Sequence, residues 1–362
     1  MKTILRLMLS LCLSGVLRAA APMLLVAGQD SDNLLIFDSA TGRFGELARF
    51  PKNSKPRTVA VSPKGEIFVG LSGGAKNIVR VVPGNPAEIK PVTSAIGKYG
   101  PGVMAFGAGQ IWVAGDTEHT IYQVNPDTGE LTSPVQDKND DNVVGLAVAD
   151  NRLFVAEYAQ RSIMTYEIGA GRLTGAHHLV TKTPQLNKPR DMIIGPNGDL
   201  FVANIGAPTV VQFDKKTGVA VKTLANLGFP GQAGVHGLAY APETRRFYLA
   251  SGPNVFETDS NGVVLATYTT PALRVANGMA MLAAAPKGFT PKLTATLKVA
   301  QAWLSVIGVS GEHYRVMSST DHKKWQPVPT PDDPQQQLRF SDPTATTDKK
   351  RVYRLELAAA GK

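Results

Sequence analysis

Residues 55–69 read KPRTVAVSPKGEIFV, and residues 188–202 read KPRDMIIGPNGDLFV. Each line runs from Lys-Pro-Arg through an apolar strand, a turn rich in proline and glycine, and a second apolar-aromatic strand. Read as strand pairs, the two copies cover 58–70 and 191–203, and looser versions fall at 103–114, 145–156 and 237–250. The spacing, about 40 to 47 residues, is that of a propeller blade of four short antiparallel strands.

Within the unit, Ser62-Pro63-Lys64-Gly65 and Gly195-Pro196-Asn197-Gly198 mark the first turn, and Ile67-Phe68-Val69, Ile111-Trp112-Val113 and Leu153-Phe154-Val155 mark second strands expected to alternate between two faces. A third strand runs into a recurrent turn, seen as Asp38-Ser39-Ala40-Thr41-Gly42, Asn125-Pro126-Asp127-Thr128-Gly129 and Asp214-Lys215-Lys216-Thr217-Gly218. Asp or Asn opens such a turn by side-chain hydrogen bonding and glycine takes the positive φ, so a hairpin between the two outer strands is predicted.

The two ends of the array complement each other. MLLVAGQDSDNLLIFDSATG, from Met23, lacks an innermost strand, while NGMAMLAA, from Asn277, is an innermost strand with nothing after it. Pairing them makes a composite blade and predicts an all-β, six-bladed β-propeller over 22–288, closed so that no sheet edge is left between its ends. After Pro286-Lys287-Gly288 the period is lost. Runs at 293–299, 302–307, 313–318, 337–341 and 351–357 predict a small β-sandwich over 289–362, with Trp303, Trp325, Tyr314 and Tyr353 in its core.

The first 21 residues combine Lys2 and Arg6, an apolar run from Leu7 to Leu17 and small residues from Ala19 to Ala21. This is the layout of a secretory signal peptide, too short to span a bilayer, and it predicts a secreted or periplasmic protein with no membrane span after cleavage. Cys12, the one cysteine, lies inside it behind Leu11, where a lipoprotein site needs a small residue. Disulfides and thiolate chemistry are therefore not expected of the mature chain. The formal charge of +9 falls to +6 without Lys2, Arg6 and Arg18, and the remaining basic residues are scattered. Without a basic stripe carrying stacking aromatics, nucleic acid is not an expected partner.

The phrases PRDMIIGPNGDLFVANIGAPTVVQFD and GQIWVAGDTEHTIYQVNPDTGEL resemble blades of the NHL, YVTN and SMP-30 (gluconolactonase-like) propellers, over residues 22 to 288. EHYRVMSSTDHKKWQPV with LRFSDPTATTDKKRVYRLEL resembles the fibronectin-like tails of secreted bacterial proteins, which implies attachment or interaction. The lactonase branch holds a divalent metal with a glutamate, an asparagine and an aspartate. Its opening Glu-Gly-Pro phrase is not found near Met23, where Gly28, Gln29 and Asp30 stand. The streptogramin-lyase-like relatives carry His-Gly phrases, of which His236-Gly237 is an instance here.

In a propeller, the loops entering each innermost strand and those leaving each second strand ring one mouth of the central channel. Aligning the units puts Arg57, Gly102, Val144, Arg190, His236 and Asn277 at equivalent entry positions, with Arg57 and Arg190 three blades apart and so facing each other. Guanidinium forks with a histidine, an amide and Tyr158 nearby suit a carboxylate, phosphate or sulfate. A binding or scaffold protein with a small anionic ligand, or an extracellular or periplasmic protein or glycan as partner, is the leading expectation. The second ring carries Asp116, Glu157 and Asn204, oxygen donors that could hold calcium or zinc for a lactonase or lyase with His236 as base. Asp137 to Asn142 lacks the central glycine and closing glutamate of a calcium loop, Val148 standing at the last position. His177 and His178 point to opposite sides of an outer strand and read as surface residues. There is no G-x-S-x-G elbow and no H-E-x-x-H signature, so an enzyme is the less favoured expectation.

Overall fold

The structure, a computed structural model, describes residues 23–38, 42–84, 86–115, 119–136, 142–169, 172–224 and 234–282, then 292–298, 301–307, 314–319, 323–328, 339–342 and 352–357. The signal-like segment with Cys12, the expected boundary at 288 and residues 137–141 of the calcium-like stretch lie outside the described residues.

Six four-stranded antiparallel sheets follow one another along the chain. Blade 1 is the composite one: Ala276–Leu282 pairs with Met23–Gly28, placing Leu282 opposite Met23 and Met279 opposite Val26. Asn33–Asp38 and Arg43–Arg49 complete it. Blades 2 to 6 have innermost strands Pro56–Val61, Pro101–Gly107, Val143–Ala149, Pro189–Ile194 and Gly237–Ala241, each followed outward by its next three strands in chain order. All five strand pairs expected from the repeat are present.

The second strands depart from the expected alternation. Ile67–Leu71, residues 153–157 and Leu200–Asn204 are buried at every position. The reason is that each blade is covered on both faces by its neighbours, so neither side of an inner strand meets water. Neighbouring blades share apolar clusters: Phe68 with Met104 between blades 2 and 3, Trp112 with Leu153 between 3 and 4, Phe201 with Phe247 between 5 and 6. Where the ring closes, Phe37 of blade 1 packs on Tyr248 and Tyr268 of blade 6, with ring centroids 6.0 and 4.6 Å apart. Closure thus rests on apolar packing as the other seams do, here with aromatic pairs. The outer strand of blade 5, Ala220–Leu224, is exposed at four of its five positions, whereas that of blade 1, Arg43–Arg49, keeps Phe44, Leu47 and Ala48 buried.

The recurrent outer turn has the expected mechanism. Asn125 Oδ1 accepts the amides of Asp127 and Thr128, Asp214 Oδ1 those of Lys216 and Thr217, and Gly129 and Gly218 adopt φ of 74° and 70°. A Cβ on Gly218 would lie 2.0 Å from the carbonyl oxygen of Leu179 on the preceding blade, so glycine is needed for approach as well as for φ.

Beyond the propeller, Lys292–Lys298, Gln301–Ile307 and Arg339–Asp342 form one antiparallel sheet, and Gln326–Pro327, Tyr314–Ser319 and Val352–Leu357 form another. Trp325 is half-buried; the side chains of Trp303, Tyr314 and Tyr353 are not among the described ones. Among the described residues no helix is long and apolar enough to cross a membrane.

Candidate functional site at the channel mouth

Each innermost strand enters the fold at one mouth of the central channel, and most break their pairing there. The register shifts between Pro56 and Thr58, Pro101 and Val103, Val143 and Gly145, and Pro189 and Asp191. The extra residues are Arg57, Gly102, Val144 and Arg190. The pairing of Met23–Gly28 with blade 1's innermost strand skips Asn277 and Gly278 in the same way. Blade 6 has no such shift, but His236 takes the equivalent place, its amide donating to the Ala250 carbonyl at 2.8 Å. A bulge turns a side chain out of the pleat. The entry residues aligned from sequence are therefore the residues released from the ladder.

Arg57 and Arg190 are half-buried, three blades apart. His236, also half-buried, is held below the ordinary histidine range, first by its removal from water and then by the charge of Arg57. That coupling places His236 and Arg57 within one electrostatic neighbourhood, with the imidazole neutral at pH 7. Asn277 is drawn aside from the opening, being 5% exposed, and its Nδ2 donates to Gln29 Oε1 at 2.6 Å. Tyr158 packs at the margin of the blade 4 and 5 cluster while its amide donates to the Asn142 carbonyl at 3.1 Å.

The second ring is engaged by the protein itself. Asn204 is fully buried; its Oδ1 accepts the Asn187 amide, and its Nδ2 donates to the Gln185 carbonyl and to Thr209 Oγ1, each at 3.0 Å. Glu157 is buried and accepts the Ser162 hydroxyl. Asp116 lies outside the described residues. Among the described residues no three histidine, cysteine, aspartate or glutamate side chains converge as a metal seat. His177 and His178 are exposed on the outer strand Arg172–Val180, as expected.

Sequence reasoning missed Asp191. An innermost strand has no strand partner on its channel side, so its amides there need another acceptor. Asp191 Oδ2 accepts the Leu238 amide of blade 6 at 2.8 Å, and Oδ1 accepts the Met192 amide at 2.9 Å. Three blades away, Thr58 Oγ1 accepts the Met104 amide of blade 3 at 3.0 Å. Both are clasps between neighbouring inner strands, at the residue after the arginine. Enclosed by protein yet with some surface open to the channel, the Asp191 carboxyl is pushed up to about 7 by loss of hydration, which its two amide partners only partly offset. The available signal was a carboxylate beside the apolar run Met192-Ile193-Ile194, at the position that holds a hydroxyl in the other copy.

Below the mouth the channel holds a cavity of about 290 Å³, lined by Thr58, Met104, Leu146, Asp191, Leu238 and Met279 among others, one from each blade. The mouth carries two arginines, and the side chains lining the channel beneath it are mainly apolar with one carboxyl, while the surface open to the cavity is more polar than apolar.

No family model and no curated protein matches the chain. Solved structures do. The propeller in a nidogen/laminin complex superposes with a TM-score of 0.60 at 12% identity, over 72% of this chain and 98% of the other. A protein of unknown function from Bacteroides caccae gives 0.54 at 18%, over 73% and 99%. Virginiamycin B lyase from Staphylococcus aureus gives 0.52 at 14%, over 79% and 92%. The likeness is one of fold. A six-bladed propeller of this shape serves both a protein complex and a lyase among these neighbours, so the chemistry must be argued from the mouth.

Proposed function

We propose that this chain is a binding propeller, exported to the periplasm or the cell exterior, that takes a small oxyanion at the channel mouth. Arg57 and Arg190 supply the guanidinium forks, and His236 supplies a neutral imidazole between them on one side of the ring. The observation that carries this reading is the pair of bulges that releases an arginine at the same place in two facing blades. Guanidinium groups match carboxylate, phosphate and sulfate oxygens two at a time. The NHL, YVTN and SMP-30-like blade phrases and a β-sandwich tail belong to this proposal: they fit a module that presents a ligand or docks a partner. Asn277 and Tyr158 line the margin of the site and hold its walls.

The test is thermal unfolding with acetate, phosphate or sulfate added at constant ionic strength, which removes general screening effects. At least one of these anions is expected to raise the melting temperature of the wild type, Arg57→Ala or Arg190→Ala to reduce the rise, and the double variant to abolish it. Equal responses in wild type and both variants would refute the site. A bound anion favours protonated His236, so affinity is expected to strengthen as pH falls from about 8 to about 5.5, and His236→Gln to flatten that dependence.

A further inference from the structure

The two Lys-Pro-Arg segments share more than their sequence. Lys55 and Lys188 both adopt positive φ, 49° and 52°, in the region that favours glycine. Blade 3 has the same turn into its inner strand, and there Gly100 stands before Pro101 with φ 78°. Glycine is what this backbone suits, and in the two facing blades a lysine occupies it instead.

Both segments are clamped in the same way. The Ser54 and Lys55 carbonyls accept the Gly73 and Ser72 amides at 2.9 and 3.1 Å; the Asn187 and Lys188 carbonyls accept the Gly206 and Ile205 amides at 3.0 and 2.9 Å. Blade 2 adds the Asp32 carboxylate, which accepts the Lys55 and Asn53 amides at 2.9 and 2.8 Å, and blade 5 adds Asn204, which accepts the Asn187 amide. Lys55 and Lys188 are both exposed, and the arginines two residues on are half-buried. Each segment is thus an arm whose backbone is fixed by hydrogen bonds and which carries an exposed lysine two residues before a half-buried arginine.

We propose that the mouth recognises a two-headed acid, a small molecule with an oxyanion at each end, one head taken by Lys55 with Arg57 and the other by Lys188 with Arg190. This rests on the oxyanion reading above and extends it to ligand class. Two like arms held by facing blades present two equal sites at a set separation, and a molecule that spans them gains by the second contact being intramolecular. Arms fixed by backbone bonds lose little freedom when the ligand binds.

The experiment is calorimetric titration of the full chain with linear α,ω-dicarboxylates of increasing length and with alkyl α,ω-bisphosphonates, each against the matching single-headed acid. One chain length is expected to bind at least about tenfold more tightly than its single-headed counterpart; the two series decide which head group is taken. Lys55→Gly and Lys188→Gly suit the local backbone, so each should keep or raise the melting temperature while reducing two-headed binding to the single-headed level. If single-headed acids bind in an Arg57- and Arg190-dependent way and no two-headed acid improves on them, the two-headed proposal fails and the oxyanion site stands. If neither kind binds, both fail.

Discussion

In blade 2 the inner strand reaches its neighbour through Thr58 Oγ1, and in blade 5 through the Asp191 carboxylate. The strands around these residues share the Lys-Pro-Arg entry, the positive φ, the bulge and the pairing register. A hydroxyl accepts the amide without charge, whereas the carboxylate gives up hydration to do so and retains its proton to about pH 7. One geometric need, an acceptor for an unpaired channel-side amide, is met by two chemistries, and only one of them responds to pH. Blade 1 meets it differently: Gly278 occupies the same place, where a Cβ would lie 2.7 Å from the Arg57 carbonyl oxygen, so close approach replaces the side-chain clasp.

The largest test converts one blade into the other. Asp191 is protonated more readily folded than unfolded, so its contribution is fully present below the ordinary value of 3.8 and is lost progressively as pH rises from there to about 7. In Asp191→Thr this dependence disappears. The stability of wild type minus that of the variant, from urea unfolding, is expected to fall by up to about 4 kcal/mol between about pH 4 and pH 8. A difference independent of pH would mean the two clasps are equivalent. His236 titrates in both proteins and cancels from the difference.

The arms themselves come next. A Cβ at Gly73 would lie 2.1 Å from the Asn53 carbonyl oxygen, and at Gly206 2.5 Å from Asn187 Oδ1. Gly73→Ala is expected to cost about 2–3 kcal/mol and Gly206→Ala less, because the backbone carbonyl oxygen it would meet, that of Asn187, is farther away at 2.8 Å and its closer contact is a movable side-chain amide. Equal losses would show that the two arms are clamped with equal rigidity. The smallest effect is that of Thr58→Val, which keeps the shape and leaves the Met104 amide without its acceptor. A loss of about 1–2 kcal/mol, independent of pH, is expected in the same unfolding assay.

Much of this was legible in the chain. The doubled phrase gave the blade, its period gave the ring, and the mismatched ends predicted the pairing of the strand from Asn277 with the strand from Met23, because repetition and apolar patterning are local signals that survive without coordinates. The outer Asp/Asn to Gly turns were readable for the same reason. The continuous burial of second strands was not, since alternation assumes a solvent-facing side that a blade between two blades does not have. Asn204 illustrates the limit at the site: from sequence an asparagine there can be a ligand or a structural brace, and only its three partners show it bracing Asn187, Gln185 and Thr209.

By itself, then, the sequence determined that the repeat region is a closed six-bladed ring and that Arg57 and Arg190 stand three blades apart in it, because register and symmetry follow from spacing alone. The tertiary structure decided what those positions do. It released the arginines through bulges, withdrew Asn277 to Gln29, bent Lys55 and Lys188 into a backbone suited to glycine, and enclosed Asp191 until its proton was held to neutral pH. Each depends on which groups from distant blades come within a few ångströms and on how much water they keep, quantities that no stretch of chain carries on its own.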